Sequence, residues 1–142
     1  MARIVSNLII LATFALSIIG AASAAETNGG EQDFSKSLVA AKEAFLRVGF
    51  YNSTNPDCSV LPGTQGRAAV LPTRGSLVIR PGVGHRIFTS QDNREPCSRK
   101  LLRGIVVYYR PARGYVGPDT FVYDVFFPKG GMFHTNVSID VR

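Results

Sequence analysis

Acidic side chains are scarce in this sequence: ten Asp and Glu stand against sixteen Lys and Arg, for a formal net charge of +6. Tryptophan is absent, and there are only two cysteines and two histidines. No G-x-S-x-G occurs, which excludes the nucleophile elbow of the α/β-hydrolases. No C-x-x-C occurs, and no histidine stands at ligand spacing beside either cysteine, which argues against a zinc or redox pair. Twin arginines are missing near the start, and no cysteine lies where a lipoprotein would need one. The few acids do not make a calcium cage, which needs six to eight oxygen ligands. No cofactor and no metal are expected.

What is present at the start is an export leader. Arg3 gives a short positive segment, Leu8 to Gly20 is an apolar run of 13 residues, and Ala22-Ser23-Ala24 supplies the small side chains of a cleavage site. Cleavage before Ala25 fits best, with cleavage before Glu26 close behind. The rival reading is an uncleaved membrane anchor. A spanning helix wants ~20 consecutive apolar residues, and Ser6, Asn7, Thr13, Ser17 and Ser23 dilute this stretch. No stable span is expected after cleavage, and the mature chain is read as periplasmic or secreted. Removing residues 1–24 leaves 118 of 142 residues, enough for one domain.

In an oxidising compartment, Cys58 and Cys97 are expected to pair. Closing a loop of that size contributes ~2–4 kcal/mol, chiefly through the unfolded chain. The mature charge falls only to about +5, since Arg3 is the one charge lost. Arginine carries most of it, with 12 Arg against 4 Lys. Nucleic acid is a poor partner for an exported protein. An anionic envelope component or an acidic exported protein suits it better.

Hydrophobic periodicity divides the chain. Phe34, Leu38, Ala41, Phe45 and Val48 recur at helical spacing, which predicts an amphipathic helix capped by Asp33 and ended by Gly49. Residues 25–57 therefore read as a lead-in plus helix, and 58–142 as the main domain. From Arg67 the period is two. Strands are predicted over Arg67–Leu71, Ser76–Arg80, Arg86–Ser90, Leu101–Arg110, Phe121–Phe127 and Phe133–Val141, with Gly and Pro turns between them, including Pro81-Gly82-Val83-Gly84. Short connections favour antiparallel pairing.

Residues 106–142 carry an ordered set of motifs: Tyr109-Arg110-Pro111, Gly114-Tyr115-Val116-Gly117, Asp119-Thr120-Phe121-Val122-Tyr123-Asp124-Val125, Gly130-Gly131, then an alternating strand from Val137 to Val141. This order resembles the C-terminal half of bacterial immunoglobulin-like, cadherin-like modules, with a weaker match at Gly75–Ile79. The resemblance implies an immunoglobulin-like antiparallel β-sandwich. It implies that Tyr123, two residues before Val125, bonds back to upstream backbone, and that Asp119 holds a tight turn through its side chain. Phe121 is then a core residue. Val125 stands where antibody-type domains place a cysteine, and the two cysteines do not occupy the inter-sheet positions.

His85 and His134 have no local carboxylate or cysteine pattern, and Asp119 and Asp124 are placed at a turn and on an outer face. No catalytic residue is expected: a sandwich of this size leaves little room for a concave catalytic pocket. The candidate binding residues are Arg94, Arg99, Lys100 and Arg103, clustered around Cys97, with Arg86, Arg110 and Arg113 on the flanking runs. Arginine's planar fork suits carboxylate and phosphate, and a disulfide would pin the loop. The expectation is a binding or adhesion module of the bacterial envelope or extracellular space. The alternative is a structural or inhibitory protein acting on another exported protein through this loop.

Overall fold

The computed structural model describes residues 30–142. The export leader expected over residues 1–24 lies outside them. Strands β1 (Glu31–Ala40), β2 (Leu46–Tyr51), β3 (Ser53–Thr54), β4 (Val60–Leu61), β5 (Gln65–Val70), β6 (Gly75–Gly84), β7 (Leu102–Pro111), β8 (Gly117–Phe126) and β9 (Met132–Val141) make up the fold, with one short 3-10 helix, Glu95–Arg99, between β6 and β7. One sheet has the order β1-β9-β8-β5 and a second has β2-β7-β6, while β3 and β4 form a small hairpin. All pairs are antiparallel except β1 with β9, which run parallel in register from Glu31–Met132 to Ala40–Val141. The protein is a mainly-β domain of two packed sheets.

Alternation along the strands makes the core. Phe121, Tyr123 and Val125 on β8, Val137, Ile139 and Val141 on β9, and Val107 and Tyr109 on β7 are buried in one cluster with Ala40, Val48 and Tyr51. Phe121 stacks on Tyr109 at 5.5 Å between ring centroids, so the two sheets meet ring on ring. Burying such rings is the main driving force of a sandwich this small.

The helix expected over Phe34 to Val48 is not formed. Those residues make β1, a turn and β2, so the two sheets begin at Glu31 and not at Cys58. The stripe misled because period two was interrupted. Phe34, Leu38 and Ala40 face inward with a lysine, Lys36, among them, and the helical spacing of the remaining apolar residues stood out instead. Pairing with β9 then decides the conformation, since tertiary contacts override weak local propensity. Gly49 ends no helix. It follows a bulge in the β2–β7 register, and a Cβ there would meet the Tyr51 ring at 2.7 Å.

Two other assignments change. Gly82-Val83-Gly84 is strand, not turn: Pro81 is tolerated because β6 is an edge strand, and a Cβ at Gly82 would meet Val106 at 2.7 Å. Arg86–Ser90 is not strand. It belongs to the irregular connection between β6 and β7, anchored by the buried Phe88, whose backbone N–H donates to Ser98 Oγ at 3.0 Å. The Cys58–Cys97 disulfide is formed, with Cα atoms 5.4 Å apart. It ties the β3–β4 hairpin loop to the 3-10 helix, outside both large sheets.

Candidate functional site

The two large sheets divide the charge between them. Strands β1, β5, β8 and β9 carry five acids (Glu31, Asp33, Asp119, Asp124, Asp140) and two cations, Lys36 and Arg67. Strands β2, β6 and β7 carry no acid and four arginines: Arg47, Arg80, Arg103 and Arg110. Three of the four lie on the outward face of their sheet. Val107 and Tyr109 point into the core, so Val106, Tyr108 and Arg110 point out. The register then sets Arg47 and Val78 beside Tyr108, Phe50 and Arg80 beside Val106, and Ser76 beside Arg110.

Each outward arginine lies over its own ring. Arg110 stands 5.1 Å from the centroid of Phe45, Arg80 5.0 Å from Tyr108, and Arg47 5.5 Å from Phe50. Phe45 and Tyr108 meet edge to face at 6.3 Å. Arg47 also donates to the Val83 carbonyl at 3.0 Å, crossing from β2 over β7 to β6. Such cation–ring contacts contribute ~0.5–1 kcal/mol each at exposed sites, and they fix where the guanidinium groups stand. Strand and residue spacing put the three Cα atoms roughly 8–14 Å apart. At one end the face opens into a cleft of about 520 Å³ lined by Arg110, Arg113, Glu43 and Pro111. The arrangement is a flat cationic surface with aromatic rings between the charges.

The loop cluster read from the sequence is divided by the fold. Arg94 is taken up within the loop: its side chain donates to both Asp92 carboxylate oxygens, at 2.8 and 2.5 Å, and lies 4.7 Å over the Phe88 ring. Hydrogen bonds from the Arg94 side chain and backbone hold the Asp92 carboxyl down at about 2. Arg99 and Lys100 are exposed at the end of the 3-10 helix. Arg103 sits at the start of β7 and lines a separate cavity of about 240 Å³ with Asn52, Pro62 and Pro81. Arg86 is turned inward, donating to the Asn52 carbonyl at 2.6 Å, and burial with the nearby Arg94 charge lowers its pKa. The sequence did not point to Arg47 and Arg80. The signal that could have found them is the complete absence of acids from the runs 46–51, 75–84 and 102–111.

Phe121 is core. Asp119 does hold a turn, but a distant one: its carboxylate accepts the backbone N–H groups of Thr73 and Arg74, between β5 and β6, at 3.1 and 3.0 Å. Among the described residues, Tyr123 makes no bond to upstream backbone through its hydroxyl. It lies well inside β8, facing β2, and its hydroxyl pairs with that of Tyr51 at 2.5 Å. Burial and that pairing push its pKa well up. The hydroxyl that meets backbone at this corner is Tyr115's, donating to the Pro118 carbonyl.

Asp124 lies on the outer face of its sheet, as its alternation predicts, yet its side chain is only 4% exposed because Arg67 and His134 cover it. Arg67 donates to Oδ2 at 2.8 Å, and His134 Nδ1 lies 2.7 Å from Oδ1. The register aligns Asp33, His134, Asp124 and Arg67 as one row across the four strands. Among the described residues no group of three or more His, Cys, Asp or Glu side chains is placed to hold a metal ion. Also among them, no helix is long and apolar enough to cross a membrane.

Comparison with known proteins finds no matching family model, no matching curated sequence and no matching solved structure.

Proposed function

We propose that this chain is an exported immunoglobulin-like binding module of the bacterial envelope or extracellular space, and that it holds an anionic envelope component on the arginine–aromatic face of β2, β7 and β6. One observation carries the reading: three strands without a single acid present three outward arginines, each seated on a ring. Seating restricts the guanidinium forks before a ligand arrives, which lowers the ordering cost of binding. A surface of spaced forks with rings between them suits a polymer or surface bearing repeated carboxylate or phosphate groups.

The immunoglobulin-like part of the reading rests on strand order. Taking the seven long strands as A to G, their pairing is B-E-D in one sheet and G-F-C in the other, as in immunoglobulin sandwiches. The first strand lies beside the last. Export is supported by the disulfide, which belongs to oxidising compartments, and by the leader in the sequence. The reading is of a binding protein and not an enzyme.

The test is retention on anionic envelope material, comparing the mature protein with an Arg47→Ser, Arg80→Ser, Arg110→Ser variant. The variant should lose retention while remaining folded, its melting temperature lowered only by the loss of the three ring contacts and the Arg47 hydrogen bond. Equal retention at low salt would reject the face as the binding surface.

A further inference from the structure

We propose that the opening between β1 and β2 is a binding site for a small aromatic carboxylate, with Lys36 receiving the carboxylate and Phe34, Tyr51 and Phe133 receiving the ring. The site is separate from the arginine face: it lies at the lateral gap between the two sheets, where an edge strand of one faces an edge strand of the other.

Lys36 is the observation that needs explaining. It occupies an inward position of β1, between Phe34 and Leu38, where the strand otherwise contributes to the core. A half-buried ammonium needs partners for its three N–H donors. Two are accounted for. One goes to the Val48 carbonyl at 3.1 Å, beside the bulge in β2, and one to the Tyr51 hydroxyl at 3.2 Å. Both acceptors are neutral. Among the described residues, no carboxylate lies within ion-pair distance of Lys36, and its third N–H has no protein acceptor. A half-buried cation in that state attracts an anion more strongly than an exposed lysine does, because less water screens it.

The surroundings select the rest of the ligand. The cavity beside Lys36 has a volume of about 150 Å³ and is lined by Phe34, Lys36, Tyr51 and Phe133. That is about the size of an engineered protein cavity that takes up benzene. Its walls are three rings packed edge to face: Phe34 lies 4.8 Å from Phe133 and Tyr51 lies 6.3 Å from Phe133, centroid to centroid. Phe34, one of the lining residues, remains 39% exposed. A ring placed there adds a further edge-to-face or offset contact, the arrangement aromatic side chains favour. One point charge at one end of an apolar, ring-lined space complements a flat apolar body with a single anionic end. A sugar or a polyphosphate would leave its remaining polar groups unpaired against the rings.

The experiment is an NMR titration of the mature, disulfide-bonded protein with sodium benzoate, and with benzamide as the neutral isostere. Benzoate should give saturable shifts confined to the backbone amides around Phe34, Lys36, Tyr51 and Phe133. Benzamide should bind at least about tenfold more weakly, the loss of one charge-assisted hydrogen bond. Lys36→Met should abolish the difference between the two ligands, and Phe34→Ala should weaken both. Because Lys36 also caps the β2 bulge, Lys36→Met is judged only if it melts as a folded protein. If it does not, the benzoate-to-benzamide ratio in the parent and the loss in Phe34→Ala decide. Equal binding of benzoate and benzamide, unsaturable or scattered shifts, or a folded Lys36→Met that still prefers benzoate overturns the proposal. Binding should persist in the Arg47, Arg80, Arg110 variant, which separates its failure from failure of the sheet-face reading.

Discussion

Tyr109 donates its hydroxyl hydrogen to Asp119 Oδ2 at 2.9 Å, and this one contact joins the middle strand of one sheet to an inner strand of the other. The same carboxylate accepts backbone N–H groups from Thr73, Arg74 and Thr120. Asp119 thus fixes the β5–β6 turn, which carries the chain from one sheet to the other. Burial and the neighbouring carboxylate both push the Tyr109 pKa well up, so the phenol stays a donor throughout the physiological range. Asp119→Ala takes the acceptor from the buried Tyr109 hydroxyl and from the part-buried N–H groups of Thr73, Arg74 and Thr120 and should cost about 3 kcal/mol, whereas Tyr109→Phe removes one bond and should cost about 1–2 kcal/mol. Urea melts of the two variants check the ranking. Equal costs would mean that the turn is held by something other than this carboxylate.

The Asp124 site contributes to the acid limb of stability. Burial raises the Asp124 pKa, but hydrogen bonds from Arg67 and His134 outweigh it, and the net shift is downward. A carboxyl whose folded pKa lies below its unfolded value of about 3.9 stabilises the fold above that value. Its contribution is lost as pH falls through the folded pKa. Asp124→Asn should therefore lower stability at neutral pH and make the decline below about pH 4 shallower than in the parent. Melts across an acid series measure both. A variant with the parent's slope would show that Asp124 titrates alike in the folded and unfolded chains.

The disulfide stabilises without touching the proposed binding face. Cys58 and Cys97 lie in the β3–β4 hairpin loop and the 3-10 helix, and neither belongs to β2, β6 or β7. A Cys58→Ser, Cys97→Ser variant should lose roughly 2–4 kcal/mol, yet below its melting temperature it should be retained on anionic material as the parent is. Loss of retention in a folded variant would move the binding surface to the loop of Arg94, Arg99 and Lys100.

Strand alternation was legible where one face of a strand was uniformly apolar, as in Val137, Ile139 and Val141. It failed where a polar group turned inward. Lys36 broke the pattern of β1 and let a helical stripe pass for the better fit. Asp119 and Asp124 show the complementary limit: both are buried, but through partners 45 to 57 residues away, or through His134 across the sheet, which no local pattern contains. The cationic face was hidden for the same reason. Arg47, Arg80 and Arg110 are scattered along the chain and meet only through the register of three strands, while the loop arginines, adjacent in sequence, are parted by Asp92, by burial and by the turn into β7.

The final prediction separates fork geometry from charge on that face. Changing Arg47, Arg80 and Arg110 together to lysine keeps all three charges. An ammonium is a compact, strongly hydrated point charge without a planar fork, so it stacks poorly on Phe50, Tyr108 and Phe45 and cannot pair bidentately with carboxylate or phosphate. Screening acts on charge, not on shape. The lysine variant should therefore bind anionic envelope material about tenfold or more weakly at low salt. Its fractional loss of binding as salt rises should nevertheless match the parent's. The serine variant at the same positions should lose both the affinity and the salt dependence. Retention curves for parent, lysine and serine proteins over one salt series distinguish the cases. If lysine matches arginine at every salt concentration, the rings only fill the surface, and the seating of the guanidinium groups contributes nothing to recognition.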